Sequence, residues 1–142
     1  MSARRINVEL GPRSYGVVVG DGVLGSIADV VHLPEAAEKA FVVTHPELAH
    51  LAGQVAQSLA GVGLVTETIE IPPGEPSKTL EWASGIYERL AGSVAHRHDL
   101  IVAVGGGVVT DVTGFVAATY ARGMHLVNVP TTLLGQVDAA IG

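Results

Sequence analysis

Three stretches of the chain carry residue types whose spacing could hold a phosphorylated ligand. The first, Gly105-Gly106-Gly107-Val108-Val109-Thr110-Asp111, follows directly on the apolar run Leu100 to Val104. A strand that ends in glycines and turns into a helix leaves backbone N–H groups unpaired at the helix start, where the dipole favours negative charge. Without side chains in the way, a pyrophosphate can come within hydrogen-bonding distance of that backbone. The dinucleotide fingerprint is incomplete: Gly105 and Gly107 fill its first two glycine positions, but Thr110 stands at the third. No Gly-Lys-Ser/Thr follows, so the P-loop pattern fails as well. From spacing alone the glycines serve equally as a tight turn with close packing. Asp111 falls in the first turn of the expected helix. Either it complements the macrodipole, an effect of about 0.3–1 kcal/mol, or it faces a neutral part of a ligand, such as a ribose or carboxamide, because a pyrophosphate would repel it.

The second stretch is Pro72-Pro73-Gly74-Glu75-Pro76-Ser77-Lys78. Lys78 could neutralise a phosphate while Glu75 accepts hydrogen bonds from a sugar or base; the alternative is a surface ion pair worth about 0–1 kcal/mol. The third begins at Pro130 and carries Thr131, Thr132 and, six residues after Thr132, Asp138. The threonines would stand at the carboxyl end of a strand, where open α/β sheets bind ligands, or simply cap the next helix. Asp138 on a helix face reads equally as a solvated carboxylate. Arg122, before Gly123, suits a helix C-terminus complementing the dipole. His96 and His98 flank Arg97, but nothing else falls at a spacing that completes a metal site, so no metal ligand is assigned.

The elements that must position these groups follow from periodicity. Ile6, Val8 and Leu10 alternate in a half-buried strand, and a turn at Gly11 to Ser14 leads to a second strand over Tyr15 to Val19, together a hairpin. A helix is expected over Val23 to Val31, then a buried strand at Ala40 to His45. Leu48, Leu51, Ala52, Val55 and Leu59 recur at helical spacing, with Gly61 and Gly63 as stop signals. Thr66 to Ile71 alternates as a strand, and Leu80, Ala83, Ile86, Tyr87 and Leu90 mark a helix that stops near Gly92. Leu100 to Val104 shows no polar alternation, as a strand buried on both faces does not. The segment after the glycines is apolar almost all round up to Arg122-Gly123, hence a core helix. His125 to Pro130 is another strand, and a further helix starts near Leu133. Strands alternating with helices of about 12 to 15 residues predict βαβ units. The fold class is α/β: a Rossmann-like parallel sheet flanked by helices, with an N-terminal β-hairpin, in one domain over residues 1–142.

Composition narrows the partners. Hydrophobic residues make up 48% of the chain and charged ones 15%, a profile that argues against disorder. The net charge of −6 and the lack of a Lys/Arg cluster exclude a nucleic-acid face. No apolar run approaches the roughly 20 residues that span a bilayer, and no apolar segment follows Arg4 and Arg5 as a signal peptide would require. The expectation is a cytoplasmic protein with no membrane partner. Without cysteine, disulfides and thiolate chemistry are excluded.

Taken together, the stretches Pro72 to Lys78, Gly105 to Gly123 and Pro130 to Gly142 resemble the 3-dehydroquinate synthase family of sugar phosphate cyclases, in order and spacing, over essentially the whole chain. The resemblance implies an NAD-dependent lyase of the shikimate pathway. Such enzymes convert 3-deoxy-D-arabino-heptulosonate 7-phosphate to 3-dehydroquinate and phosphate, with a divalent metal, zinc or cobalt. It implies that Gly74, Glu75 and Lys78 contact the adenosine side of NAD and that Gly106, Gly107 and Val108 present backbone to the pyrophosphate, with Val109 and Thr110 also binding the cofactor. Asp111, Thr131 and Thr132 would face the nicotinamide half, and Asp138 a substrate hydroxyl. Arg122 would reach the substrate phosphate of a neighbouring subunit, which makes a homodimer functional. Where many relatives place Asp or Asn near the adenine ribose, this chain has His45-Pro46-Glu47. The family's helical domain, with its metal ligands, would follow Gly142, so the chain is expected to be the NAD-binding part and inactive alone. Other implied readings are a valiolone-type cyclase and a non-catalytic nucleotide-binding module.

Overall fold

The structure is a computed structural model that describes residues 2–141. Strands β1 (Arg4–Val8) and β2 (Tyr15–Val19) pair antiparallel around a 3-10 turn at Gly11–Arg13. The hairpin forms a sheet of its own. Its apolar face is less covered than the alternation implies, for Ile6 and Leu10 remain 45% and 47% exposed. Period two reports a pleated strand, not its cover: on the same face Val8, Tyr15 and Val17 are half-buried. The helix expected over Val23 to Val31 divides into a 3-10 segment, Val23–Ser26, and the single turn α1 (Ile27–Val30).

The main body alternates as expected: β3 (Lys39–Thr44), α2 (Ala49–Gly61), β4 (Val65–Glu70), α3 (Leu80–Gly92), β5 (Leu100–Gly105), α4 (Gly107–Thr119) and β6 (His125–Pro130). The four strands form one parallel sheet in the order β4-β3-β5-β6. Central β5 is buried at every position, which explains its lack of polar alternation. Its side chains divide by parity: Ile101 and Ala103 join Phe41 and Val43 against α3 and α4. Leu100, Val102 and Val104 join Ala40 and Val42 against α2. The result is a three-layer α/β/α sandwich with a core on each side of the sheet.

Two polar knots close the amino edge of the sheet. Asp99, 1% exposed, accepts from the backbone N–H groups of Glu38 and Lys39 at 3.0 Å each and of His96 at 2.8 Å, tying the entry of β5 to that of β3. Lys39 Nζ donates to the carbonyls of Ser93 and Val94, both at 2.9 Å, just beyond α3. It holds a helix end at which Val94 adopts a φ of 52°, a region that β-branched residues rarely enter. Nearby, Glu67 accepts from Ser93 Oγ and from Arg89 Nε and Nη2, at 3.0 and 2.6 Å for the arginine. Burial pushes the Glu67 carboxyl up, but the hydrogen bonds from Ser93 and Arg89 and the arginine's charge outweigh it and hold the group below its ordinary value.

Asp99→Ala should destabilise the chain by about 3 kcal/mol, because three backbone donors lose an ionised acceptor; a lowered urea midpoint is the measurement. A carboxyl whose pKa is depressed by folding stabilises above its unfolded value, and that contribution disappears as the pH falls through the folded one. Wild type should therefore exceed Glu67→Gln in stability at neutral pH, with the gap closing below the ordinary value of 4.5 in a pH series of unfolding curves.

Candidate functional site

The chain runs outward from β3 to β4, then returns past β3 to β5 on its other side. That reversal opens a crevice between the carboxyl ends of β3 and β5, the position where open α/β sheets bind ligands. Bonds tie the ends of neighbouring strands along this edge, β3 to β5 and β6 to β5. Thr44 Oγ1 donates to the Val104 carbonyl at 2.9 Å, and Thr131 N donates to the Gly105 carbonyl at 3.0 Å. The loop after β4, the glycine turn after β5 and the threonines after β6 thus share one edge of the sheet.

The three glycines have different reasons. A Cβ at Gly105 would stand 2.7 Å from a Val109 methyl, so the packing of α4 onto its own strand demands glycine there. At Gly106 a Cβ would meet Thr132 Cγ2 at 3.1 Å, a tight fit. At Gly107 the nearest atom would be Ala139 Cβ at 3.6 Å, an ordinary contact, and the backbone φ is not left-handed. Close packing accounts for the first glycine and in part the second, and leaves the third without a reason inside the fold. Thr110 makes the first intrahelical bond, N–H to the Gly106 carbonyl at 3.1 Å, and its hydroxyl lies 3.2 Å from the Gly106 and Gly107 carbonyls. Its side chain, 3% exposed, braces the turn from inside, and the N–H groups of Gly107, Val108 and Val109, ahead of that first bond, have no intrahelical partner.

Gly74 has a φ of 96°, which a side chain would resist, and opens the 3-10 turn Glu75–Ser77. Ser77, 1% exposed, donates to the Pro72 carbonyl at 2.6 Å and pins this loop. The loop carries Lys78 across to α4: its ammonium lies 2.8 Å from Asp111 Oδ2 and 3.5 Å from Glu75 Oε1, and because α4 begins at Gly107, Asp111 stands just past the first turn in which the sequence places it. Sequence spacing anticipates the Glu75 pair; the shorter bond to Asp111, 33 residues away, needs the fold. Hydrogen bonding to Asp111 raises the Lys78 pKa above its ordinary value, partial desolvation opposes this, and the charges of Asp111 and Glu75 add to it. Lys78 is therefore cationic throughout the neutral range. Beside the pair, a groove of about 260 Å³ is lined by Lys78, Leu80, Ala83, Asp111 and Phe115.

Thr132 takes the capping role: its Oγ1 accepts from Gly135 N at 3.0 Å. The helix expected from Leu133 passes into a π-turn, Gly135–Ala139, which carries Asp138 as an exposed side chain. Arg122 departs from the helix-terminus reading. Helix α4 stops at Thr119, and Ala121 and Arg122 take left-handed backbone conformations instead. Arg122 also lies before β6, at the amino edge of the sheet. The 13 residues of α4 separate it from the glycine turn by about 20 Å of helix rise, so it does not join its own chain's crevice. His45, to which the sequence assigns no role, sits at the end of β3, where its Nδ1 lies 3.0 Å from the Ile71 carbonyl. Among the described residues no group of three or more His, Cys, Asp or Glu could hold a metal, so the residues present do not fit one. A larger cavity of about 410 Å³, lined in part by Asp29, Gln54 and Ser58, contains none of the candidate site residues.

A family model described as 3-dehydroquinate synthase N-terminal matches residues 68–142, more than half of the chain. The chain belongs to this family. It is 43% identical over 138 residues to the 3-dehydroquinate synthase of Desulforamulus reducens, covering 96% of this chain and 38% of that protein. The synthase of Caulobacter vibrioides is 42% identical over 141 residues, with coverages of 98% and 38%. The chain thus spans little more than a third of the length of these curated relatives. Among solved structures, a 2-deoxy-scyllo-inosose synthase complexed with carbaglucose-6-phosphate, NAD+ and Co2+ aligns with a TM-score of 0.84 at 27% identity, over 96% of this chain and 37% of that one. The 2-epi-5-epi-valiolone synthase of Streptomyces hygroscopicus, with NAD+ and Zn2+ bound, aligns at 0.75 and 33% identity, over 95% and 37%. The Rossmann-like dehydroquinate synthase fold expected from the sequence is the fold observed.

If Gly105 answers to packing and Gly107 does not, their alanine variants should differ. Gly105→Ala should lower stability by about 1–3 kcal/mol, the usual cost of overpacking, whereas Gly107→Ala should leave the thermal midpoint within the error of a calorimetric scan. Asp111→Asn should also return the Lys78 pKa toward its ordinary 10.5, as an NMR titration of its side chain would show.

Proposed function

We propose that residues 1–142 form the NAD-binding part of a 3-dehydroquinate synthase, an NAD-dependent phosphate lyase of the shikimate pathway acting in the cytoplasm. The observation that carries this is Gly107: a glycine without a packing role, at the start of a 13-residue helix, facing the crevice of a chain that belongs to this family. The crevice also fits the cofactor chemically, since it offers unspent N–H groups to a pyrophosphate and a cationic Lys78 beside them.

NAD, when bound, supplies a transient acceptor for the hydride of a substrate hydroxyl. The chain's own groups bind and orient. Backbone N–H groups of Gly107, Val108 and Val109 hold the pyrophosphate, with Gly106 letting it approach and Thr110 bracing the turn. Gly74 shapes the loop that brings Glu75 and Lys78 to the adenosine side. Asp111, together with Thr131 and Thr132, faces the nicotinamide half, where Asp111 must exchange part of its bond to Lys78 for a neutral donor. Asp138, exposed on its π-turn, contacts a substrate hydroxyl. Arg122, at the far edge of the sheet, serves the sugar phosphate of a second subunit. Metal ligands and the remaining phosphate contacts belong to the longer part of the relatives, so this chain alone is inactive. The identities of 42–43% to synthases of this name, against 27–33% to other cyclases, favour this reading over a valiolone-type synthase.

Calorimetric titration of the chain with NAD+ tests the reading. Weak binding is expected, with a dissociation constant of order 0.1–1 mM, because half a cleft leaves the ligand partly solvated. Gly107→Ala should weaken it about tenfold without lowering stability, since a methyl there fills the space between the helix start and Ala139. No heat with NAD+ under conditions where the chain is folded overturns the reading. Turnover of the sugar phosphate by this chain alone would instead overturn the claim that it is only a part.

A further inference from the structure

Arg122 stands on a turn that the backbone does not adopt readily. Ala121 has φ 50° and ψ 29°, Arg122 has φ 65°, and Gly123 has φ 115°. Only the last is a glycine; an L-residue in the left-handed region costs roughly 1–2 kcal/mol, and two in succession persist only where their surroundings compel them. Both sides of the turn are pinned. Upstream, the Tyr120 ring stacks on Tyr87 of α3 with centroids 6.3 Å apart and planes at 23°, and its hydroxyl donates to the Ala95 carbonyl at 3.2 Å. The Tyr87 hydroxyl pairs with Thr119 Oγ1, which also donates to the Phe115 carbonyl at 2.7 Å. Downstream, Met124 is buried and its N–H donates to the Ala117 carbonyl at 2.7 Å, while Gly123 N donates to the Tyr120 carbonyl at 2.8 Å. The chain must therefore reverse within three residues. Arg122 itself is exposed and makes no ion pair or side-chain hydrogen bond among the described residues. The strained turn is closed by the single Gly123–Tyr120 backbone bond, and the Arg122 side chain adds none to it. What it delivers is a guanidinium held clear of intramolecular partners.

We propose that Tyr87 and Tyr120 are positioning residues: their stacked, hydrogen-bonded pair fixes the turn that projects Arg122 toward a phosphate held by a second copy of the enzyme. This role for the tyrosines rests on the reading of Arg122 under Proposed function. A guanidinium fork engages phosphate through paired hydrogen bonds, so its value depends on direction as well as charge. The tyrosines supply that direction from the interior and never meet the ligand.

The test uses the complete enzyme carrying these residues, with NAD+ saturating and the sugar phosphate varied. Arg122→Ala should raise KM for the sugar phosphate by about tenfold or more. Tyr120→Ala should raise it by a similar factor, and the double variant should be no worse than Arg122→Ala, because both remove one oriented contact. Tyr120→Phe keeps the stack and should recover most of the loss. Should Tyr120→Ala fail to fold, Ala121→Gly takes its place. Glycine relieves the strain but loosens the turn, so KM should rise about threefold while the thermal midpoint does not fall. Backbone φ angles of residues 121 and 122, from NMR shifts of the isolated chain, should leave the positive region in Tyr120→Ala and keep it in Tyr120→Phe. A Tyr120→Ala or Ala121→Gly enzyme with unaltered KM, where Arg122→Ala raises it, overturns the positioning role. An Arg122→Ala enzyme with unaltered KM overturns the reading of Arg122 beneath it.

Discussion

At Gly105 the chain leaves β5 and turns so sharply that Val109, one helical turn later, occupies the space a side chain would need. That contact lets α4 lie directly on the strand it comes from and seats Val109, Val112 and Val116 in the core above the sheet. It also leaves the first N–H groups of α4 pointing out over the carboxyl edge. A larger residue at this one position would push the helix off the sheet and carry the N–H groups, Asp111 and the contact to Lys78 with it. Packing thus demands a glycine at Gly105 and makes no such demand two residues on at Gly107.

The two edges of the sheet are used differently. At the carboxyl edge a surface triad of Glu75, Lys78 and Asp111 lies over bonds from the buried Ser77 and Thr44 hydroxyls. Exposed ion pairs of this kind contribute little to stability. At the amino edge the bonds involve charged side chains and are mostly part-buried, with Asp99 collecting three backbone donors and Lys39 closing the end of α3. Rigidity there holds the strands in register. Arg122 projects from the rigid edge, away from its own crevice, on a turn fastened by two tyrosines.

Much of this was legible in the residues themselves. The alternation of β4, the unbroken apolar run of β5 and the helical spacing of α2 and α3 gave those elements nearly to the residue, because one-dimensional periodicity mirrors which face is covered. The hairpin was legible as strands but not as an exposed pair, since Ile6 and Leu10 have the right period whether or not a second layer lies over them. The end of α4 was misleading. Arg122-Gly123 reads as an ordinary helix stop, but Tyr120 is claimed by Tyr87 and Ala95 before the helix can reach it. Among the candidate site residues, Thr110 stands at the glycine turn as its spacing requires, but its side chain turns inward to the carbonyls of Gly106 and Gly107.

The sequence by itself determined the α/β class, the family, and the three stretches that carry the candidate site residues, because these depend on local periodicity and on motifs short enough to be read along the chain. Only the tertiary structure decided which glycine answers to packing and which does not, that Lys78 bonds Asp111 more closely than Glu75, and that Arg122 faces away from the crevice. Each of these is set by the distance between residues of different elements. The order β4-β3-β5-β6 brings some segments far apart in the chain to one edge and sends others to the opposite one.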